Sequence, residues 1–265
     1  DVHRLAGASA AEQLMRWYQE FSNEHHPASL AHHYVAYRAH VRAKIACLRV
    51  AQGDTDQIPL ARRYHALARD HAERARLRLI VVGGGPGTGK TTVARAIGER
   101  FGLPVLSSDD IRKSVTGTPF DARCVADPGE GIYTADAKQA VYDELGREAD
   151  ALLRAGTSVV VDATWSTDEG REALRAIAGR WGAEVVELEC HLDPEIAGER
   201  VAERLAAGDD TSDATPEIVT LLASRRDPWP EATPLDTTGP LDATLALASA
   251  AVTRLPRSDE ADVFV

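Results

Sequence analysis

No stretch of this 265-residue chain reaches the ~18 consecutive apolar residues that a membrane-spanning helix needs. The opening Asp1-Val2-His3-Arg4 is neither a basic leader start nor followed by an apolar core, so a secretory leader is not supported either. Cysteine is scarce. Cys47, Cys124 and Cys190 are odd in number and lack any C-x-x-C spacing, which argues against a disulfide frame or a cysteine zinc site and for reduced thiols in a cytoplasmic protein. Positive charge is in deficit: 30 Lys and Arg face 41 Asp and Glu, a net of −11. No internal repeat or low-complexity tract breaks the chain, and there is no initiator methionine, which predicts a piece of a longer polypeptide.

The 44% hydrophobic content suffices for a full core, and the length suits one α/β domain plus something smaller. Charge helps to place the boundary. Residues 1–77 carry 11 basic against 8 acidic side chains, a net of +3, whereas the remainder carries a net of −14. So acidic a surface disfavours a polyanionic partner, because phosphate backbones are held by clustered Lys and Arg; nucleic acid is an unlikely ligand.

The first 77 residues are expected to be helical. Leu30, Tyr34, Tyr37, Val41, Ile45 and Leu48 recur at steps of three and four and predict an inward helix face, packed in a hairpin or small bundle. Gly53 to Asp56 marks a break, and Ile58 to Arg76 a second, charged helix. His25, His26, His32 and His33 surround a proline loop as neighbouring pairs without the i, i+4 spacing of helical metal ligands, so a solvated or capping role is expected.

From Arg78 onward short β-rich runs alternate with helical ones. The candidate strands are 78–83, 105–107, 158–162, 184–190 and 234–236. Val93, Ile97 and Phe101 mark the inner face of one intervening helix, with Gly102 as its stop, and Val141, Leu145 and Leu152 that of another ending near Gly156. Ser166 with Glu169 reads as a capping box, and Asp193-Pro194 and Thr215-Pro216 as cap-then-proline starts. The alternation predicts a parallel sheet covered by helices on both faces.

Four elements carry chemistry. Gly84, Gly85, Pro86, Gly87, Thr88, Gly89, Lys90 and Thr91 fit the phosphate-cradling pattern G-x-x-x-x-G-K-[ST] after an apolar run, and with Thr92 they are the candidate nucleotide ligands. Loop amides and the following helix N-terminus face the β-phosphate, Lys90 reaches the β- and γ-phosphates, and the Thr91 hydroxyl binds Mg²⁺. Asp109 lies at the end of the second strand, where a carboxylate faces the ligand crevice and can relieve an acceptor hydroxyl of its proton; Arg112, one helical turn on, can hold the acceptor. Asp162 ends an apolar strand as the expected second group on the metal side. Arg200 and Arg204, four apart on a helix, precede the small acidic stretch Ala206 to Thr215 and suit a lid that closes over the transferring phosphate. Arg225 and Arg226 compete for that role or for contact with the adenine, and residues 114–134 are the candidate acceptor flap.

With those residues in place, the chain from about Arg78 to Leu255 resembles the P-loop kinases related to polynucleotide kinases, zeta toxins and gluconate or adenylylsulfate kinases. The shared pattern is a P-loop, D-x-x-R at Asp109 and Arg112, an apolar strand with Asp162, and a lid with Arg200 and Arg204. The resemblance implies a three-layer α/β P-loop kinase fold with a five-stranded parallel sheet in the order 2-3-1-4-5, preceded by a small all-helical segment. It implies ATP and Mg²⁺ as cofactors, Asp109 as catalytic base, Arg112 as acceptor ligand, and the two lid arginines as transition-state stabilisers. A further likeness is to a bacterial two-domain group in which an aminoglycoside-phosphotransferase-like domain comes first. Tyr34 to Lys44 looks like the C-terminal helical end of that domain, and Ser108 to Lys113, Gly131-Ile132-Tyr133 and Ser212-Asp213-Ala214 look like signatures of the second. This implies residues 1–77 as the end of the first domain plus a linker helix, 78–255 as the kinase domain, 256–265 as a tail, and the N-terminal kinase-like domain as a partner in the same polypeptide. The expected activity is transfer of a γ-phosphate to a small-molecule hydroxyl; a nucleotide-binding regulatory module and a polynucleotide 5′-end kinase are the alternatives.

Overall fold

A computed structural model of the chain describes residues 2–22, 27–116, 135–207 and 226–253. Contacts divide it into two compact units, residues 1–77 with 155–157, and the remainder from Arg78.

The first unit is helical: α1 (Val2–Ala6), α2 (Ala8–Ser22), α3 (Ala28–Ala51), a 3₁₀ turn at Thr55–Gln57 and α4 (Ile58–Ala75). The predicted inward face of α3 is corrected. Tyr34, Tyr37, Ile45 and Leu48 are exposed, while Ala36, Ala39, Ala43 and Ala46 are buried. Ala39 and Ala43 pack against Tyr64 and Ala68 of α4, with Leu60 and Leu67 alongside. The alanines also recur at steps of three and four, and their small side chains let two helix backbones approach closely. Bulk alone pointed to the wrong stripe. His32 is neither solvated nor a cap. Its Nδ1 lies 2.9 Å from Nδ1 of His71, whose Nε2 lies 3.1 Å from Nδ1 of His3. His25 and His26 lie outside the described residues, among which no cluster of metal-ligating side chains is found.

The second unit is built on five parallel strands, β1 (Arg78–Gly84), β2 (Val105–Ser107), β3 (Val159–Asp162), β4 (Glu184–His191) and β5 (Thr233–Asp236), in the order β2-β3-β1-β4-β5. This is the predicted fold class, and each predicted strand matches to within a residue at either end. The β-branched runs that revealed β1 and β3 are the residues most completely enclosed. Leu79, Ile80, Val81, Val82, Val159, Val160 and Val161 are at most 1% exposed, as central strands covered on both faces must be. On one face Ile80 and Val82 meet Val93, Ala94 and Ile97 of α5 (Lys90–Phe101) and Ala248 and Val252 of α10 (Leu241–Thr253). Across the sheet lie α7 (Ala135–Arg154) and α8 (Asp168–Arg180), which contact β3 and β4. Between the strands run also α6 (Ser108–Thr116) and α9 (Pro194–Ala207).

Two local expectations are corrected. Leu153 rather than Leu152 is buried with Val141 and Leu145, completing with Ala149 a row at steps of four along α7. The capping box at Ser166 is not formed: α8 starts after Thr167, which makes no side-chain cap. Ser166 is occupied elsewhere, accepting from Lys138 Nζ at 2.8 Å and, through its carbonyl, from the Asp227 amide at 2.9 Å. The Asp193 cap does form, with Oδ1 accepting from the Glu195 amide at 2.9 Å. The Thr215-Pro216 start lies outside the described residues.

Candidate nucleotide and acceptor site

The C-terminal ends of β1, β2 and β3 converge. Asp162 is in register with Val82 on one side and Ser107 on the other, so the residues that follow each strand open onto one crevice. From β1 the chain enters the loop 85–89 and then α5, whose first residue is Lys90. The Thr88 hydroxyl closes this loop by donating to the Gly85 carbonyl at 2.8 Å. Gly87 has φ +78, and a Cβ there would stand 2.4 Å from the Ala197 carbonyl oxygen of α9, so neither backbone nor space admits a side chain. Gly89 has φ +81 and turns the chain into α5, aiming that helix's free amides at the loop.

Asp162 is 1% exposed. Burial pushes its carboxyl above the usual carboxylate range, against the charge of Lys90 and hydrogen bonds from Thr91 and Ser107; the Asp109 charge adds to the rise. Its Oδ2 accepts from the Ser107 hydroxyl at 3.4 Å, while Oδ1 has no hydrogen-bond partner among the described residues. A buried, unsatisfied carboxylate oxygen beside a P-loop threonine and lysine is the donor chemistry of a hard divalent cation. Thr91 and Asp162 thus fit Mg²⁺.

Asp109 and Asp110 fall in the first turn of α6, which begins directly at the end of β2. Arg112 Nη1 donates to Asp109 Oδ1 at 2.9 Å. Next to them stand Lys138 and Tyr142, which the sequence reading did not single out, against Thr164 and Trp165. Lys138 Nζ lies 5.4 Å from the Tyr142 ring centre, the Tyr142 hydroxyl is 3.0 Å from Thr164 Oγ1, and Tyr142 stacks on buried Trp165 at 4.8 Å. Their sequence signal is the i, i+4 spacing of Lys138 and Tyr142 on α7.

Of the two arginines expected in a lid, Arg200 is engaged at the β5 side and Arg204 bonds back to its own helix. Arg200 Nη2 donates to the Thr237 carbonyl at 3.1 Å, and Arg204 Nε to the Arg200 carbonyl at 3.3 Å. Residues 208–215, Arg225, most of the predicted flap, Gly131 to Tyr133 and Ser212 to Ala214 lie outside the described residues. Arg226 is described and pairs with Glu189 at 2.7 Å.

The segment from Arg226 to Trp229 is held against α8, β1 and β4. Arg171, 1% exposed, donates to the carbonyls of Trp165 at 3.0 Å and Pro228 at 2.8 Å, and its guanidinium carbon lies 5.0 Å from the Trp229 ring centre. Trp229 Nε1 donates to Glu187 at 2.8 Å, and Arg175 grips the same carboxylate at 2.7 and 3.0 Å. The Trp229 ring covers Gly83, where a Cβ would sit 2.3 Å from it. Beneath the loop, burial pushes the Cys190 thiol up to about 12, which makes it inert packing.

A family model described as an AAA domain matches residues 79–229. The chain belongs to the AAA domain family. This AAA domain has the fold of P-loop kinases. A gluconokinase from Sinorhizobium meliloti superposes with a TM-score of 0.50 at 20% identity, over 71% of this chain and 97% of that one. The Mycobacterium tuberculosis APS kinase CysC, in complex with AMPPNP and APS, gives 0.51 at 17% identity, over 68% and 99%. An uncharacterized protein of M. tuberculosis is 36% identical over 254 residues, 94% of this chain and 49% of that protein. A shikimate kinase of Saccharopolyspora erythraea is 37% identical over 84 residues, 32% of this chain and 47% of that enzyme. The chain spans about half the length of the curated relatives it matches. Among the described residues, no helix is long and apolar enough to cross a membrane.

Proposed function

We propose that this AAA domain is an ATP- and Mg²⁺-dependent phosphotransferase acting on a hydroxyl of a small molecule. The observation that carries the reading is the meeting of Asp162, Thr91, Lys90 and Asp109 at the ends of three adjacent strands. The loop amides and Lys90 hold the β- and γ-phosphates, and Thr91 and Asp162 would hold the metal, which would supply positive charge to offset that of the phosphates. Asp109 accepts the proton of the acceptor hydroxyl as its oxygen bonds to the γ-phosphorus; the bond from that phosphorus to the β-γ bridging oxygen breaks, and ADP leaves. Arg112 steers Asp109 and the acceptor. Arg200 and Arg204 are assigned to the closing lid, for which they must leave the contacts they make here. The net of −14 over residues 78–265 counts against a polynucleotide acceptor. The greater length of the curated relatives supports a second domain of the same polypeptide as partner; the assignment of residues 1–77 to the end of an aminoglycoside-phosphotransferase-like domain rests on the resemblance of Tyr34 to Lys44 alone.

Calorimetric titration with a non-hydrolysable ATP analogue, with and without Mg²⁺, followed by an ADP-release screen of hydroxyl compounds, tests this. Mg²⁺-dependent binding that Lys90→Ala abolishes, with acceptor-stimulated ADP release, is expected. Binding without any acceptor effect would replace the enzyme by a nucleotide-sensing module, and wild-type turnover in Lys90→Ala would remove the site.

A further inference from the structure

Of the fifteen large apolar side chains exposed among the described residues, twelve lie in the first unit. They follow a pattern there. On α2, Leu14, Trp17, Tyr18 and Phe21 stand at positions i, i+3, i+4 and i+7, which is one side of a helix, and are between 47% and 81% exposed. On α3, Tyr34, Tyr37, Ile45 and Leu48 keep the same period on the side turned away from the buried alanines that pack on α4. The two stripes meet: Met15 of α2 and Tyr34 and Val35 of α3 line one cavity of about 240 Å³ with an almost wholly apolar wall, floored by Leu67 of α4. An amphipathic helix sets its apolar side against a core, and an exposed run of aromatics on two neighbouring helices marks a face that another surface covers.

We propose that the α2–α3 face is the seat of a further part of the same polypeptide, which covers it with an apolar surface rimmed by carboxylates. This rests on the longer relatives as a guide to this polypeptide and is independent of the kinase reading. The uncharacterized M. tuberculosis protein matches 94% of this chain with only 49% of its own length, so about as much chain again lies outside the match. Charge defines the rim. The 24 residues of α3 include Arg38, Arg42, Lys44 and Arg49 and no acid; with Arg16, Glu12 and Glu20 of α2 the two helices carry five basic and two acidic side chains. A second copy fits this face poorly, because two-fold pairing sets the patch against itself, positive against positive. The second unit offers no matching surface: its exposed large apolar side chains among the described residues are Trp181, just after α8, and Leu241 and Leu247 on α10. With the partner seated, α3 is enclosed on two sides, its alanines against α4 and its aromatics against the added surface.

Covalent footprinting with photogenerated radicals, applied to this chain and to the full polypeptide that its gene encodes, tests the face. Trp17, Phe21 and Tyr37 are expected to label heavily in this chain and at least about fivefold less in the full polypeptide, as side chains taken into an interface core do, while Trp181 labels alike in both. Equal labelling of the three overturns the docking face and leaves a second domain standing; a full polypeptide no longer than this chain overturns both. Labelling that falls as this chain is concentrated, with a dimer in sedimentation, overturns the proposed occupant in favour of a second copy. A substitution gives an independent readout. In this chain Tyr37→Glu is expected to move the melting midpoint by less than about 2 °C, since the ring is 64% exposed, and in the full polypeptide, where it buries an unpaired charge, to lower it by at least about 5 °C. Equal shifts in the two overturn the proposal.

Discussion

Replacing Arg171 by methionine keeps most of the side-chain volume and removes the guanidinium, and its cost can be worked from the contacts. The Trp165 carbonyl is buried and loses its donor, which costs about 1–3 kcal/mol. The stacking of the guanidinium over Trp229 is worth about 0.5–2 kcal/mol in so desolvated a place. The Pro228 carbonyl lies at an exposed residue and can turn to water, and the ion pair with half-exposed Asp168 counts for little. Methionine needs no desolvation, which returns part of the loss. The net is about 2–3 kcal/mol. For a unit of this size that lowers the melting midpoint by about 4–12 °C. Thermal unfolding followed by the near-ultraviolet signal of the buried tryptophans reads the shift. Amide exchange adds a local readout: the Asp227 amide, bonded to the Ser166 carbonyl, is expected to open far more readily, while the Ile80 amide in β1 changes only with global stability. A midpoint shift below about 2 °C, or equal effects on both amides, would refute the assignment of Arg171 as the tie between the β3–α8 connection and the segment ending at Trp229.

Two further outcomes are expected. Asp109→Asn keeps nucleotide affinity within about twofold but lowers phosphate transfer by at least about 100-fold, the usual contribution of a positioned base; unchanged transfer would leave Asp109 a helix cap that holds Arg112. His71 is brought from 6.5 to about 4 by burial first and then by the charges of His32 and His3. Folding therefore disfavours its protonated form, so its contribution to stability is fully present above pH 6.5 and is lost as pH falls from 6.5 toward 4. A histidine NMR titration of the intact chain, with melting curves across that window, checks this; a His71 midpoint near 6.5 would refute both the burial of the ring and its coupling to His32 and His3.

Much of the sheet unit was legible because its signals are local. Strands β1 and β3 announce themselves as β-branched runs, and the phosphate loop as glycines at fixed offsets, each set by backbone sterics that no distant residue alters. The helical unit was harder. On α3 two stripes share the helical period, and only the partner helix decides between alanines and aromatics. The Ser166 capping box failed for a similar reason: Lys138 and Asp227, 28 and 61 positions away, claim that residue first. Lys138, Arg171 and Trp229 escaped notice because a single charged or aromatic residue carries no pattern; their meaning comes from what the fold sets beside them.

The contact between Gly83 and Trp229 ties together two positions 146 apart in sequence. Gly83 lies just outside the phosphate-loop pattern, and nothing in nucleotide chemistry demands a glycine there. The indole demands it. Any lineage that enlarges residue 83 must first shrink residue 229, and shrinking residue 229 alone opens a hole beside the strand that feeds the loop and strands the Glu187 carboxylate with one donor fewer. The two residues can change only as a couple and in a fixed order. Redesign of the segment near Trp229 therefore has to begin at the floor of the phosphate loop.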